Sequence, residues 1–134
     1  MAKPNFTGTW KFNSGKSVLQ MPSPESAIFV IEHNEPHFRL ERTLVFDGKS
    51  NTFSVALKTD EKPITINIGG FEAQSRLYWE DDSLVFDSRF VHESEEASNI
   101  VRYKLEDEGQ TLIADEQLRS TQHKHDNMWM FDKQ

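Results

Sequence analysis

The sequence predicts an all-β fold, a single antiparallel up-and-down β-barrel of about 8–10 strands with little helix. Short runs in which apolar and polar residues alternate with period two recur along the chain. Clusters of Gly, Pro, Asn and Asp separate these runs. With 134 residues, the chain is long enough for one hydrophobic core, so residues 1–134 are expected to form one domain.

Ten segments have the alternation of half-buried strands. They are residues 8–12, 27–33, 37–45, 52–58, 64–68, 71–79, 83–91, 99–105, 111–118 and 128–131. Most connections are short enough for hairpins, at Asn34-Glu35-Pro36, Asp47-Gly48-Lys49, Gly69-Gly70, Glu80-Asp81-Asp82 and Asp107-Glu108-Gly109. Consecutive strands are therefore expected to pair as neighbours, and closing the sheet into a barrel would remove its edges.

The alternation divides the side chains into an inner and an outer set. The inner set includes Phe53, Val55, Leu57, Ile64, Ile66, Ile68, Leu84, Phe86 and Phe90, and the outer set includes Asp87 and Arg89. A sandwich of two sheets would use the same pattern, so alternation leaves that architecture open.

Two segments lack the alternation. Residues 13–26 contain Gly15, Pro22 and Pro24, which predicts a loop crossing one end of the barrel with at most a single helical turn. The acidic residues 93–96 predict a solvated loop.

Charge and composition exclude several kinds of partner. The net charge is −7 and the basic residues are dispersed, which argues against binding to nucleic acid. Cysteine is absent, which favours a reducing compartment. The chain has no apolar stretch long enough for a membrane span or a signal peptide. We therefore expect a cytoplasmic protein without membrane insertion, unless a signal peptide has been removed.

The opening Phe6-Thr7-Gly8-Thr9-Trp10-Lys11 resembles the Gly-x-Trp signature of the first strand in lipocalins and fatty-acid-binding proteins. Val101-Arg102-Tyr103 and the terminal Phe131-Asp132-Lys133-Gln134 resemble the last strands of the same superfamily. The resemblance extends along the whole chain and points to small bacterial lipocalin-like proteins of the calycin superfamily. It implies that Trp10 plugs one end of the barrel, and that the barrel binds a small apolar molecule without catalysis.

The resemblance also suggests where a ligand would bind. Many fatty-acid-binding proteins hold the ligand carboxylate with an Arg-x-Tyr motif on the last strand and a second Arg two strands earlier. Here Trp129 and Phe131 occupy the motif positions, whereas Arg102 matches the second Arg. With half of this clamp missing, a neutral or weakly polar ligand is favoured over a long-chain carboxylate.

Candidate ligand-binding residues are aromatic residues and arginines expected to face the interior. They are Trp79, Phe86, Phe90, Arg42, Arg102, Trp129 and Phe131. Arg42 is in phase with the apolar Phe38, Leu40 and Leu44. The aromatic residues could equally be core. Arg102 could instead form an ion pair on the outer face or stack on the Trp at the plugged end.

Other functions remain open at this point. A haem could be ligated by His92, which is in phase with Phe90, and a cavity enzyme needs no local motif. A filled barrel could serve as an interaction scaffold. His123 and His125 are better explained by a solvated loop than by a metal site. The chain has no motif for a nucleophile or a phosphate loop, and we predict no catalytic residues, metal or cofactor.

Overall fold

The structure is a computed structural model that describes residues 3–68, 70–92, 94–121 and 123–134. Its strands are β1 Gly8–Phe12, β2 Ser26–Asn34, β3 His37–Phe46, β4 Lys49–Lys58, β5 Ile64–Ile68, β6 Phe71–Glu80, β7 Ser83–His92, β8 Glu95–Glu106, β9 Thr111–Arg119 and β10 Lys124–Lys133. The helical structure in these residues is one 3₁₀ turn, Asp107–Gly109. The all-β prediction and its ten strands are confirmed.

Three strands begin three or four residues earlier than predicted. β4 begins at Lys49, β8 at Glu95 and β10 at Lys124. Their first residues are polar apart from Ala97, so the sequence shows no alternation there, yet the backbone stays paired up to the hairpin. The acidic loop predicted at 93–96 is correspondingly shorter. Gly69 and Glu93, and the side chains of Ile68 and His92, lie outside the described residues.

All ten strands belong to one antiparallel sheet with the order β4-β3-β2-β1-β10-β9-β8-β7-β6-β5. The sheet curls so that the two terminal strands pair, with Phe12 opposite Phe131. A single curled sheet excludes the sandwich and confirms the barrel. Closure by hydrogen bonds is incomplete, because β4 and β5 are the two edges of the sheet and do not pair.

The connections fall at two ends of the barrel because the strands alternate in direction. We call the end with the β2–β3, β6–β7 and β8–β9 turns the Trp10 end. The end with the β3–β4, β7–β8 and β9–β10 turns is the mouth. The inner residues of the Trp10 end are largely buried.

Trp10 is fully buried near the start of β1. Its indole Nε1 donates a hydrogen bond to the Phe6 carbonyl at 3.0 Å, and Lys133 Nζ lies 5.7 Å from the ring centroid. Gly8 has φ of +154°, and a Cβ there would lie 3.2 Å from the Cε of Lys133. A glycine at this position therefore lets the first strand approach Trp10 and the last strand.

A hydrogen-bond network joins separate segments at the Trp10 end. His33 Nδ1 accepts from the Phe6 amide at 3.2 Å, which leaves Nε2 to donate to Glu35 Oε1 at 3.0 Å. Trp79 Nε1 donates to Glu35 Oε2 at 3.0 Å, and the Thr59 hydroxyl also donates to this carboxylate. Glu35 thus ties the β2–β3 turn to the β4–β5 connection and to β6.

Two side chains have a solvent exposure that differs from the one expected for an inner or an outer residue. Asp87 lies on the outer face, as predicted, but is only 1% exposed. Arg76 and Arg89 cover it, with ion pairs of 3.1 and 3.3 Å. Ile64, predicted to face inward, is 39% exposed, because it begins the edge strand β5 and has no paired strand on one side.

Residues 13–25 connect β1 to β2 at the mouth end of the barrel. They continue the line of β1 beside β10, where Val18 and Met128 exchange backbone hydrogen bonds of 2.9 and 2.7 Å. This course brings Met21 to the mouth. The prediction that this segment contains at most one helical turn agrees with the structure. Among the described residues, no helix is long and apolar enough to cross a bilayer.

We expect Trp10→Ala to lower the free energy of unfolding by about 3–5 kcal/mol, because it empties a fully buried site. Trp79→Ala is the matched comparison and should cost less, since Trp79 is only half-buried. Denaturant unfolding measures both. A loss of about 0.5 kcal/mol or less for Trp10→Ala would be typical of a surface residue and would contradict its role at the barrel end.

Glu35 should make the stability depend on pH. Burial raises its pKa, but the hydrogen bonds and the interaction with His33 lower it, and the net result is a pKa below the ordinary value of 4.5. A carboxyl with a depressed folded pKa stabilises the fold above its unfolded pKa, and this contribution is lost as the pH falls through the folded pKa. The stability difference between wild type and Glu35→Gln should therefore shrink below pH 4.5. Parallel curves of unfolding free energy against pH would contradict this.

Candidate functional site

A cavity of about 220 Å³ occupies the mouth half of the barrel interior. The inner faces of β2, β3, β8, β9 and β10 form its walls. Its apolar lining is Met21, Phe29, Leu44, Phe46, Val101, Ala114 and Trp129, and its polar lining is Arg42, Asn99, Tyr103 and Glu116. A mainly apolar cavity with a few polar groups is typical of a small-molecule site.

Strand alternation explains why two charged residues face this cavity. In β3, Arg42 continues the inner series of Phe38 and Leu40, both buried. In β9, Glu116 continues the inner series of Leu112 and Ala114. Alternation therefore places the positive Arg42 and the negative Glu116 among apolar residues on the inner face.

Glu116 is held by neutral donors. Its Oε1 accepts from Asn127 Nδ2 and from Trp129 Nε1, each at 3.0 Å. Its Oε2 accepts from Asn99 Nδ2, also at 3.0 Å. Three neutral donors therefore satisfy both oxygens of this carboxylate inside the barrel.

Arg42 has no such partners. Its guanidinium Cζ lies 4.6 Å from the centroid of the Phe53 ring, a cation–π contact. Its Nε is buried and makes no hydrogen bond to any described residue. The ion pairs among the described residues do not include Arg42.

Tyr103 lines the same cavity as these two charges. It is 2% exposed, and burial raises its pKa to about 12, with Arg42 lowering the value and Glu116 raising it. Its ring packs against Phe38, with the centroids 6.3 Å apart. The hydroxyl therefore stays protonated over the physiological range.

Arg42 also borders a second cavity at the gap in the sheet. This space of about 410 Å³ is lined by Arg42, Leu44, Asn51, Thr52, Phe53, Ser54 and Asn67. Asn67 belongs to β5, whereas residues 51–54 belong to β4. Arg42 and Leu44 therefore lie at the boundary between the barrel interior and the unpaired edges.

Of the predicted site residues, the structure brings Arg42 and Trp129 together in the cavity. Phe86 and Phe131 are buried in the core but do not line the cavity. Phe131 packs against Phe29, with the ring centroids 4.3 Å apart. Ligand contact by Arg42 and Trp129 stays a prediction.

Two other predicted residues lie elsewhere. Trp79 lies at the Trp10 end, stacked on Phe6 with the centroids 6.1 Å apart. Phe90 lines a different space of about 510 Å³, beside Arg89 and Val91 near the β7–β8 turn. Both residues were predicted to face the interior, but they lie at other positions along the strands and do not reach the mouth cavity.

The prediction that Arg102 faces the interior is wrong. Its neighbours Val101 and Tyr103 are buried on the inner face, so Arg102 lies on the outer face of β8. Its Nε forms an ion pair with Glu80 Oε1 at 3.1 Å, and its Nη1 donates to Gln117. Arg102 therefore forms an ion pair on the outer face instead of lining the cavity.

Three polar lining residues, Glu116, Asn99 and Tyr103, were not among the predicted site residues. The period-two phase of β8 and β9 could have found them, because each continues an apolar inner series.

The histidines near the β9–β10 turn lie close together. The rings of His123 and His125 are stacked, with their centroids 5.9 Å apart. The part of the chain that the structure describes contains no group of three potential metal ligands.

The fold is similar to that of several solved structures, although sequence comparison finds no relative. No protein-family model matches the chain, and no curated protein matches its sequence. Solved structures do match. Secretory abundant heat soluble protein 4 from Ramazzottius varieornatus has a TM-score of 0.66 at 13% identity, over 100% of this chain and 99% of that one.

Two further structures have barrels of the same kind. A mutant fatty acid transporter has a TM-score of 0.63 at 10% identity, covering 96% of this chain and 97% of that one. The zebrafish ileal bile acid-binding protein, in complex with cholic acid, has a TM-score of 0.61 at 13% identity, covering 96% and 98%. At these identities the likeness is one of fold, and the chain has the calycin fold, the barrel of lipocalins and fatty-acid-binding proteins.

Proposed function

We propose that the barrel binds a small, mainly apolar molecule in its mouth cavity and does so without catalysis. The observation that carries the proposal is the cavity itself, an interior space walled by Phe29, Leu44, Val101 and Trp129. A soluble ligand would gain from burying apolar surface against these side chains. The fatty acid transporter and the bile acid-binding protein, which share the fold, are named for apolar or amphipathic ligands.

The volume limits the size of the ligand. About 220 Å³ is below the range of roughly 300–1,000 Å³ found for sites of drug-sized ligands. The interior towards the Trp10 end is occupied by core residues such as Leu40, Leu77 and Phe131. We therefore infer a compact ligand that enters from the mouth, or one whose end extends past Arg42 into the space at the β4–β5 gap.

A fluorescent dye tests the proposal. The neutral dye N-phenyl-1-naphthylamine should bind the wild type with increased emission, and Leu44→Glu should weaken binding at least about tenfold by placing a charge in the cavity. Val45→Glu is the matched control, since it introduces the same charge at the next residue on the opposite face of β3. Its affinity should stay within about twofold of the wild type.

Circular dichroism of each variant shows whether the barrel remains folded. Equal loss of binding in both variants would show that the dye does not occupy the mouth cavity. A folded wild type that binds neither the dye nor any copurified molecule in native mass spectrometry would instead support the filled-barrel scaffold.

A further inference from the structure

We propose that the ligand is an amphipathic anion that also carries an N–H or O–H donor, with Arg42 binding the anionic group and Asn99 accepting the donor. This inference rests on the proposed function, because it concerns the same mouth cavity. It starts from two buried polar atoms of opposite character that line this cavity and have no hydrogen-bond partner among the described residues, Arg42 Nε and Asn99 Oδ1.

Arg42 differs from the arginines of the outer surface. Arg76, Arg89, Arg102 and Arg119 each form an ion pair with a carboxylate. Arg42 is directed into the barrel, stacks on Phe53 and has no carboxylate partner among the described residues. The buried Nε of Arg42 lacks an acceptor among the described residues, and a carboxylate, sulfonate or phosphate in the cavity would supply both the acceptor and a counter-charge.

Glu116 does not satisfy Arg42. Its two oxygens are directed at Asn99, Asn127 and Trp129, which belong to β8 and β10. Its negative charge also repels an anion from that wall of the cavity. A bound anion is therefore directed towards Arg42 and the β4–β5 gap, while the rest of the ligand points to Asn99.

The orientation of the Asn99 amide follows from Glu116. Asn99 Nδ2 donates to the Glu116 carboxylate at 3.0 Å. The flipped amide would place Oδ1 against a carboxylate oxygen, which is repulsive. Oδ1 is therefore the atom left without a donor among the described residues, and a guest with an N–H or O–H group in the cavity would supply one.

These features together specify the ligand. A pure hydrocarbon would leave both buried atoms without partners, which is costly for binding. A ligand with an anionic group, an apolar body and an N–H or O–H group would satisfy both atoms and bury its body against Phe29 and Trp129. Specificity of this kind comes from the polar atoms, and affinity comes mainly from the apolar walls.

Three bicyclic probes separate the contributions in isothermal titration calorimetry. Indole-3-acetate has the anion and the N–H donor, 1-methylindole-3-acetate has only the anion, and 3-methylindole has only the donor. The wild type should bind indole-3-acetate most tightly. Arg42→Met should weaken its binding roughly 10- to 150-fold, the range of a charge-assisted hydrogen bond, and should leave 3-methylindole within about twofold.

Arg39→Met is the matched control. It makes the same change on the exposed, outer face of β3, and it should alter the binding of each probe by less than about twofold. Arg42→Met should also unfold at the same temperature as the wild type or higher, because it removes a buried donor that has no acceptor among the described residues. This stability readout distinguishes a ligand-binding Arg42 from a structural one, whose loss would lower the unfolding temperature.

Glu116→Gln tests the acceptor at Asn99. The new amide keeps its oxygen for Asn127 and Trp129, and its NH₂ group then requires an acceptor, so Asn99 should flip and present Nδ2 to the cavity. The preference of the wild type for indole-3-acetate over the N-methylated probe should therefore disappear. Arg42→Met should still weaken the binding of both anionic probes by the same factor when it is combined with Glu116→Gln.

The outcomes separate this inference from the proposed function. If 3-methylindole and the neutral dye bind but Arg42→Met leaves indole-3-acetate unchanged, the anion assignment is overturned while apolar binding stands. If the methylated probe binds the wild type as tightly as its parent, the role of Asn99 is overturned. If a folded wild type binds neither the dye nor any of the three probes, both proposals fail.

Discussion

The pairing of β1 with β10 is the interaction on which the rest of the structure depends. It joins the two ends of the chain and turns a ten-strand meander into a curved sheet with an inside. Without it, the inward residues of β3 and those of β8, β9 and β10 would face solvent rather than each other. The segment that follows β1 also forms backbone hydrogen bonds with β10, from Asn13 to Met130 and between Val18 and Met128. Most of β10 therefore has a hydrogen-bonded neighbour on this side. The remaining opening lies on the far side, between β4 and β5.

The interior divides into two halves with different chemistry. Towards the Trp10 end it is filled with aromatic and aliphatic side chains, and the polar atoms there are matched, as in the His33–Glu35–Trp79 network. Towards the mouth the inner face contains Arg42, Asn99 and Glu116, and the side chains leave a cavity. Close packing stabilises the first half. The second half contains charges and buried atoms without partners among the described residues, which reduce stability and are characteristic of binding sites.

The two interior charges, Arg42 and Glu116, have different partners. Three neutral donors from β8 and β10 hold Glu116, whereas Arg42 stacks on Phe53 from β4. A direct ion pair between them would neutralise the cavity. Their separation instead leaves a positive wall next to the gap and a negative wall next to β10, so that a ligand with its own polarity would be oriented in the site.

The sequence by itself determined the strands, their antiparallel order as a meander and the inward phase of Arg42, because these follow from local alternation and turn residues. The same alternation places Arg102 outside, between the apolar Val101 and Tyr103, although the resemblance of the last strands suggested the opposite. Only the tertiary structure decided that β4 and β5 stay unpaired, that Glu116 takes its donors from two neighbouring strands, and that Arg42 finds no carboxylate among the described residues. These properties depend on how strongly the sheet curls and on which residues then face each other across the barrel, at separations along the chain that no local pattern encodes.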